Sequence, residues 1–265
     1  MKTSDIMKRA LIIVALLTGC CLSALCQEFE RMVFTASDST DLNYRMLRPE
    51  NEKKGEKYPL VIFLHGAGER GSDNEKQLIH GSQMFLNPVN REKYPAYVLF
   101  PQCPEKDFWA YSLRPGKLTD MKADKEMPAI FNAVKELVDS YVKNPAVDRA
   151  RVYIIGLSMG AMGTFDMVAR FPEIFAAAVP ICGYVEPERL ASTKGVNFRI
   201  YHGDADPVVP VDCSRKAYKA LKEAGVSVEY FEFPGCGHGS WNPAFCQPDF
   251  MEWLFKQKKA KKYMK

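Results

Sequence analysis

Histidine is scarce in this chain, with four among 265 residues. Chemistry that needs an imidazole must therefore draw on His65, His80, His202 or His238. Long apolar runs are scarce too. After one stretch near the N-terminus no second hydrophobic span appears, which argues against a protein with several membrane crossings. There is no internal repeat, so solenoids and propeller arrays are excluded. Of eight cysteines three lie near the N-terminus, and the spacing of the other five matches no metal site. Positive charge on the body is lacking as well. The formal net charge is +4, but the tail Lys256–Lys265 holds six lysines and no acid; the remainder stands at −2, and at −4 without Lys2, Asp5, Lys8 and Arg9. A nucleic-acid-binding body would carry its basic excess on the fold itself, so no nucleic-acid partner is expected. The tail reads as a frayed, solvated helix end.

What remains is ordinary for a globular protein. Apolar residues make up 47% and charged residues 26%. The length suits one large α/β domain with a substantial core. At the N-terminus, Lys8-Arg9 precede the apolar run Ala10–Leu17, and small residues follow, the pattern of an export signal. Cleavage after Cys26 gives a leader of residues 1–26 and a single domain of residues 27–265. The alternative is a lipobox, Leu17-Thr18-Gly19-Cys20, with Cys20 as a lipidated first residue. The expected location is periplasmic or secreted, with membrane contact only through such a lipid anchor. Cys103, Cys182, Cys213, Cys236 and Cys246 then remain and are expected as free thiols.

Strands alternate with helices along the chain. Phe29–Phe34 and Leu42–Leu47 read as two strands joined by a polar turn. Pro59–Leu64 and Ala96–Phe100 are continuous apolar runs, as buried strands should be. A helix is expected from about Ala123 to Val142, with Ile130, Val134, Leu137 and Val138 on one face. Further strands begin at Val152, Phe175, Phe198 and Val228, with helices after the first of these, over Ser214–Ala224 and over Pro248–Lys258. This order predicts an α/β fold: a mostly parallel eight-stranded sheet, helices on both faces, and little or no cap.

The fifth strand runs into Gly156-Leu157-Ser158-Met159-Gly160. Strand, sharp turn and helix with Gly-x-Ser-x-Gly across the turn make a nucleophile elbow. Ser158 must take a strained conformation, and the flanking glycines keep Cβ atoms out of the strand–helix contact. A serine hydroxyl needs a general base. In this architecture the acid and histidine follow the serine, leaving His202 and His238. His238, in the loop Pro234–Trp241, is the choice, and His202 reads as a support for its turn. For the acid, Asp206 of DPVVP is preferred, with Asp204 the alternative. The acid would hold the imidazole tautomer without itself taking the proton. Oxyanion-hole donors are expected from the backbone N–H groups of Met159 and Ala67, the latter in His65–Gly71, with Glu69 and Arg70 ordering that loop by charge pairing. Trp241, Trp109 and Arg70 are candidates to line the substrate site.

HGAGERG, FPQCP, GLSMG, FPEIFAAAVPICG and DPVVP together resemble the α/β-hydrolase esterases of the phospholipase/carboxylesterase family, including its predicted-peptidase, prolyl-oligopeptidase-like members. The chain is similar in particular to bacterial esterases whose hydrolase domain follows an immunoglobulin-like module. The resemblance runs from Phe29 to Phe255. It implies Ser158 as nucleophile, Asp206 as acid and His238 as base, hydrolysing carboxylic esters with no metal and no cofactor. The sequence carries no such module before Phe29, so regulation through one is not expected to carry over. The expected substrate is a small or polymeric ester, with acyl groups on glycans as the specific expectation. The alternative is a serine peptidase of prolyl-oligopeptidase type.

Overall fold

A computed structural model describes residues 28–110 and 126–264. The expected export signal over residues 1–26, with Cys20, lies outside them, as do the first residues of the helix expected from Ala123. No described helix is long and apolar enough to cross a membrane.

The strands are β1 (Glu30–Thr35), β2 (Asp41–Leu47), β3 (Tyr58–Leu64), β4 (Tyr97–Pro101), β5 (Val147–Leu157), β6 (Ala177–Ile181), β7 (Asn197–Gly203) and β8 (Val228–Phe233). They form one sheet in the order β1-β2-β4-β3-β5-β6-β7-β8. The β1–β2 and β2–β4 pairs are antiparallel, and the remaining pairs are parallel. β3, β4 and β6 are buried along their whole length, which explains their unbroken apolar sequences. Alternate side chains feed two cores. Leu60, Ile62 and Leu64 join one, beneath α3 (Ala129–Val142), α4 (Met159–Arg170) and α5 (Asp212–Glu223). Val61 and Phe63 join the other, with Phe85 of α1 (Ser82–Leu86), Ala244 of α6 (Trp241–Phe245), and Phe250 and Leu254 of α7 (Phe250–Lys256). A further short helix, α2 (Pro88–Lys93), follows α1. The expected mostly parallel sheet with helices on both faces is thus what the chain forms. The β6–β7 connection holds one 3-10 turn, Pro187–Ser192, whose Leu190 packs into the core, so this connection builds no lid.

The sequence pattern and the structure part in a few places. β5 starts at Val147 rather than Val152: Val147 pairs with Tyr58, and the register then shifts before Leu60 meets Val152. That lead-in carries Asp148, Arg149 and Arg151 and so shows no apolar run. Helices α1, α2 and α6 are each too short for a 3.6-residue period to be visible. The basic tail, expected to be frayed, is docked at Lys259, while Lys256, Lys258, Lys261 and Lys262 are exposed as expected. Lys259 is 2% exposed, and its Nζ donates to the carbonyl oxygens of Pro172 at 2.6 Å, Phe175 at 2.8 Å and Gly195 at 3.3 Å. An ammonium with its donors met by buried carbonyls replaces the water both sides gave up. Lys259→Met should leave those carbonyls without a donor and lower stability by about 2 kcal/mol, read as a reduced urea midpoint at unchanged slope. An unchanged midpoint would mean that the docked tail contributes nothing.

Candidate active site

β5 ends at Leu157 and α4 starts at Met159, so Ser158 alone makes the turn. Its backbone sits at φ 53° and ψ −118°. A non-glycine residue held there costs about 1–3 kcal/mol, and the surroundings must enforce it. Two backbone bonds do so: the Ser158 N–H donates to Ile181 O at 2.9 Å, and Ser158 O accepts from Ala161 N at 2.9 Å. The glycines of GLSMG are needed for contact. A Cβ on Gly156 would fall 2.2 Å from Gly160 O, and one on Gly160 would fall 2.0 Å from Leu64 O. The N-terminus of α4 is therefore pressed against the carboxyl ends of β3 and β5, and the Ser158 hydroxyl stands above both.

The loop after β8 carries His238 to that hydroxyl. His238 Nδ1–H donates to Asp206 Oδ2 at 2.7 Å, and the Ser158 hydroxyl donates to His238 Nε2 at 2.9 Å. The carboxylate can only accept, which assigns the proton to Nδ1 and leaves the Nε2 lone pair facing the serine. Asp206 follows β7; its side chain is fully buried, whereas that of His238 is 20% exposed. Burial opposes the charge on Asp206, but the His238 bond and the N–H groups of Val208 at 2.8 Å and Val209 at 3.0 Å outweigh it and hold the carboxyl below its ordinary range. Its contribution to stability is therefore present above about pH 4 and lost as pH falls through the lower folded value. Of the two acids considered from sequence, Asp206 meets the imidazole. Asp204 instead accepts from Gly235 N at 2.6 Å and anchors the loop that delivers His238.

The loop after β3 forms a 3-10 turn at Ala67–Glu69, beside the N-terminus of α4. The Met159 N–H lies in the first turn of α4, where no intrahelical acceptor exists. His65, fully buried, ties this loop to the next one. Its Nδ1–H donates to Gly66 O at 2.6 Å, and its Nε2 accepts from Cys103 N of FPQCP at 2.9 Å. Burial pulls its imidazole down to about 4, so the ring stays neutral and keeps this pair of bonds.

Trp109 departs from expectation. It is fully buried, lines no cleft, and donates its indole N–H to His65 O at 3.1 Å, buttressing the loop from behind. Glu69 and Arg70 do not pair with each other. Arg70 Nε donates to Ala67 O at 3.0 Å, its guanidinium lies over the Phe108 ring, and it borders an open cavity of about 550 Å³. Glu69 lies 3.6 Å from His80 Nε2. Trp241 does reach the site: its ring meets His238 edge-on at 5.6 Å and His80 at 5.1 Å.

Two neighbours of the site were not read from sequence. The buried Cys182 thiol lies 3.4 Å from His238 O, and Ser214 of α5 bonds His202. Neither has a local signal, because tertiary packing alone brings them in. Among the described residues, Cys182, Asp206 and His238 form the one group of three such side chains compact enough for a metal ion. Burial pushes the Cys182 thiol up to about 12, so it stays protonated, and Asp206 and His238 already bond each other. The donor set fits a proton relay better than a metal. All five described cysteines are free thiols.

The sequence model of the phospholipase/carboxylesterase family matches residues 50–248. Carboxylesterase SOBER1 of Arabidopsis thaliana is 26% identical over 204 residues, covering 69% of this chain and 84% of that one. The endo-1,4-beta-xylanase/feruloyl esterase of Xylanibacter ruminicola is 28% identical over 206 residues, covering 77% of this chain and 27% of that one. Other curated relatives are also much longer, this chain spanning about a quarter of their length. Among solved structures, a thermostable esterase superposes with a TM-score of 0.81 at 34% identity, covering 89% of this chain and 64% of that one.

The packing of the elbow can be measured directly. Gly160→Ala places a methyl group against the Leu64 carbonyl and should cost about 1–3 kcal/mol, seen as a lower urea midpoint. Wild-type stability in that variant would mean the helix end is free to retreat from β3.

Proposed function

The chain belongs to the phospholipase/carboxylesterase family and has its α/β-hydrolase fold, and on that premise we propose that it is a serine carboxylesterase working through an acyl-enzyme. One observation carries the reading: the unbroken line of hydrogen bonds from Ser158 through His238 to the buried carboxylate of Asp206. His238 Nε2 takes the serine proton as Oγ attacks the ester carbonyl carbon, and the carbonyl oxygen becomes an oxyanion. We assign the N–H groups of Met159 and Ala67 as the donors to that oxygen. Each such donor is worth about 3 kcal/mol in the transition state. The imidazolium then protonates the leaving alcohol oxygen. Water, activated in turn by the imidazole, attacks the acyl carbon and frees the acid and Ser158.

The substrate we infer is an acyl ester on a glycan, met outside the cytoplasm. Three features support this. The β6–β7 connection builds no lid, so a bulky alcohol can approach. Trp241 offers a ring beside His238, and Arg70 borders an open cavity next to the loop bearing Ala67. The Xylanibacter ruminicola relative is named a xylanase/feruloyl esterase. The export-signal pattern of residues 1–26, with Cys20 as the alternative lipid anchor, supports a periplasmic or secreted location. The negative body charge supports the absence of a nucleic-acid partner.

Ser158→Ala and His238→Ala should each lower kcat by roughly 10⁴- to 10⁶-fold, and Asp206→Asn by about 10³- to 10⁴-fold. Asp204→Asn should cost far less. Assay with acetyl, butyryl and feruloyl p-nitrophenyl esters checks all four. Full activity in His238→Ala, or greater damage from Asp204→Asn than from Asp206→Asn, would overturn the assignments. Peptide anilides test the peptidase alternative; preference for them over esters would replace the esterase reading.

A further inference from the structure

Asp206 is held from both sides. Its Oδ2 accepts from His238 Nδ1 at 2.7 Å and also lies 3.1 Å from His202 Nε2, while Oδ1 takes the N–H groups of Val208 and Val209. His202 is fully buried at the end of β7. Its tautomer follows from its partners. Nε2 faces two acceptors, Asp206 Oδ2 and Val209 O at 3.0 Å, and a carbonyl oxygen cannot donate, so Nε2 bears the hydrogen. Nδ1 lies 2.7 Å from the hydroxyl of Ser214, itself fully buried, and accepts from it. Burial draws His202 below its ordinary range, so the ring stays neutral. The same carboxylate oxygen thus receives N–H groups from two imidazoles, only one of which reaches the serine.

We infer that His202 is a positioning residue for the reaction: its Nε2–H, locked by Val209 O and the Ser214 hydroxyl, fixes Asp206 Oδ2 for His238 and limits that oxygen's basicity. The inference rests on the esterase reading above. A carboxylate with fewer donors concentrates its charge and grips an imidazolium more tightly. His238 would then keep its proton to higher pH and release it less readily to the leaving alkoxide. The other groups around this unit leave His202 as the variable partner. Glu232, opposite His202 on β8, is paired with Arg215 and Tyr230. The Cys182 thiol beside Asp206 and the buried Cys213 thiol of α5 are both raised by burial and stay neutral. Asp212 on the first turn of α5 bonds Arg215, and Lys216 faces Cys213.

The experiment compares His202→Asn, whose amide is too short to reach Asp206, with His202→Gln, whose amide nitrogen takes the place of Nε2. The readouts are circular dichroism and the pH profile of kcat/KM on p-nitrophenyl acetate. In His202→Asn the plateau should fall about tenfold and the acid limb should move up by about one pH unit, the scale of one lost bond to a charged group. His202→Gln should recover most of both. A wild-type acid limb in His202→Asn, or equal loss in both variants, would overturn the inference and leave His202 as a structural residue. If His202→Asn does not fold, Ser214→Ala decides: it removes the bond that holds the far side of the ring, so a smaller shift of the limb in the same direction is expected, and an unshifted limb is fatal. Failure of the esterase reading itself looks different. There the wild-type protein would neither hydrolyse the ester nor be labelled at Ser158 by a fluorophosphonate.

Discussion

One backbone angle governs the site. Ser158 at φ 53° is a conformation an L-residue avoids, and it persists because everything around it is already committed. Its N–H is taken by β6 through Ile181 O, and its carbonyl starts α4 through Ala161 N. Gly160 lies so close to the end of β3 that no side-chain atom fits between them. Relaxing the angle would break a sheet contact and a helix start at once. The strain therefore stays where the proposed chemistry needs a hydroxyl free of its own backbone.

The rest of the site hangs from the same edge of the sheet. β3, β5 and β7 run parallel and end together, so the loops that follow them converge above their carboxyl ends. β8, parallel to β7, delivers His238 from the far side. Each loop is braced by a group outside the hydrogen-bonded line from Ser158 to Asp206, buried in the first two cases and exposed in the third. His65 and Trp109 hold the loop after β3, His202 and Ser214 hold the turn after β7, and Asp204 holds the loop after β8. A site built from loops gains precision when each loop is fixed by bonds of its own.

Much of this was legible in the sequence, for reasons that differ by element. Fully buried parallel strands must be apolar on both faces, so β3 and β4 announce themselves, and the elbow glycines are forced by contact distances no other residue meets. The order of acid and histidine along the chain narrowed four histidines to two. What could not be read depends on partners distant in sequence. Trp109 looks like a wall of the substrate site until its indole is found on His65 O. Glu69 and Arg70 are adjacent opposite charges, yet successive side chains point apart, and each finds a different neighbour. Lys259 sits among exposed lysines in the sequence, and only the fold shows three carbonyls waiting for it.

Three of the four histidines show how burial divides labour among identical side chains. His65 and His202 are fully enclosed, neutral, and bonded at both ring nitrogens, so each behaves as a rigid two-ended strut. Their tautomers are opposite, Nδ1–H in one and Nε2–H in the other, because the acceptors around them are opposite. His238 alone combines partial exposure, a carboxylate at Nδ1 and a hydroxyl at Nε2. A proton held there can leave for a substrate oxygen and return from water, whereas a proton on either strut has no exit without breaking a buried bond. The exposure of one ring, more than any difference in residue type, is what suits it to the role of base that we propose.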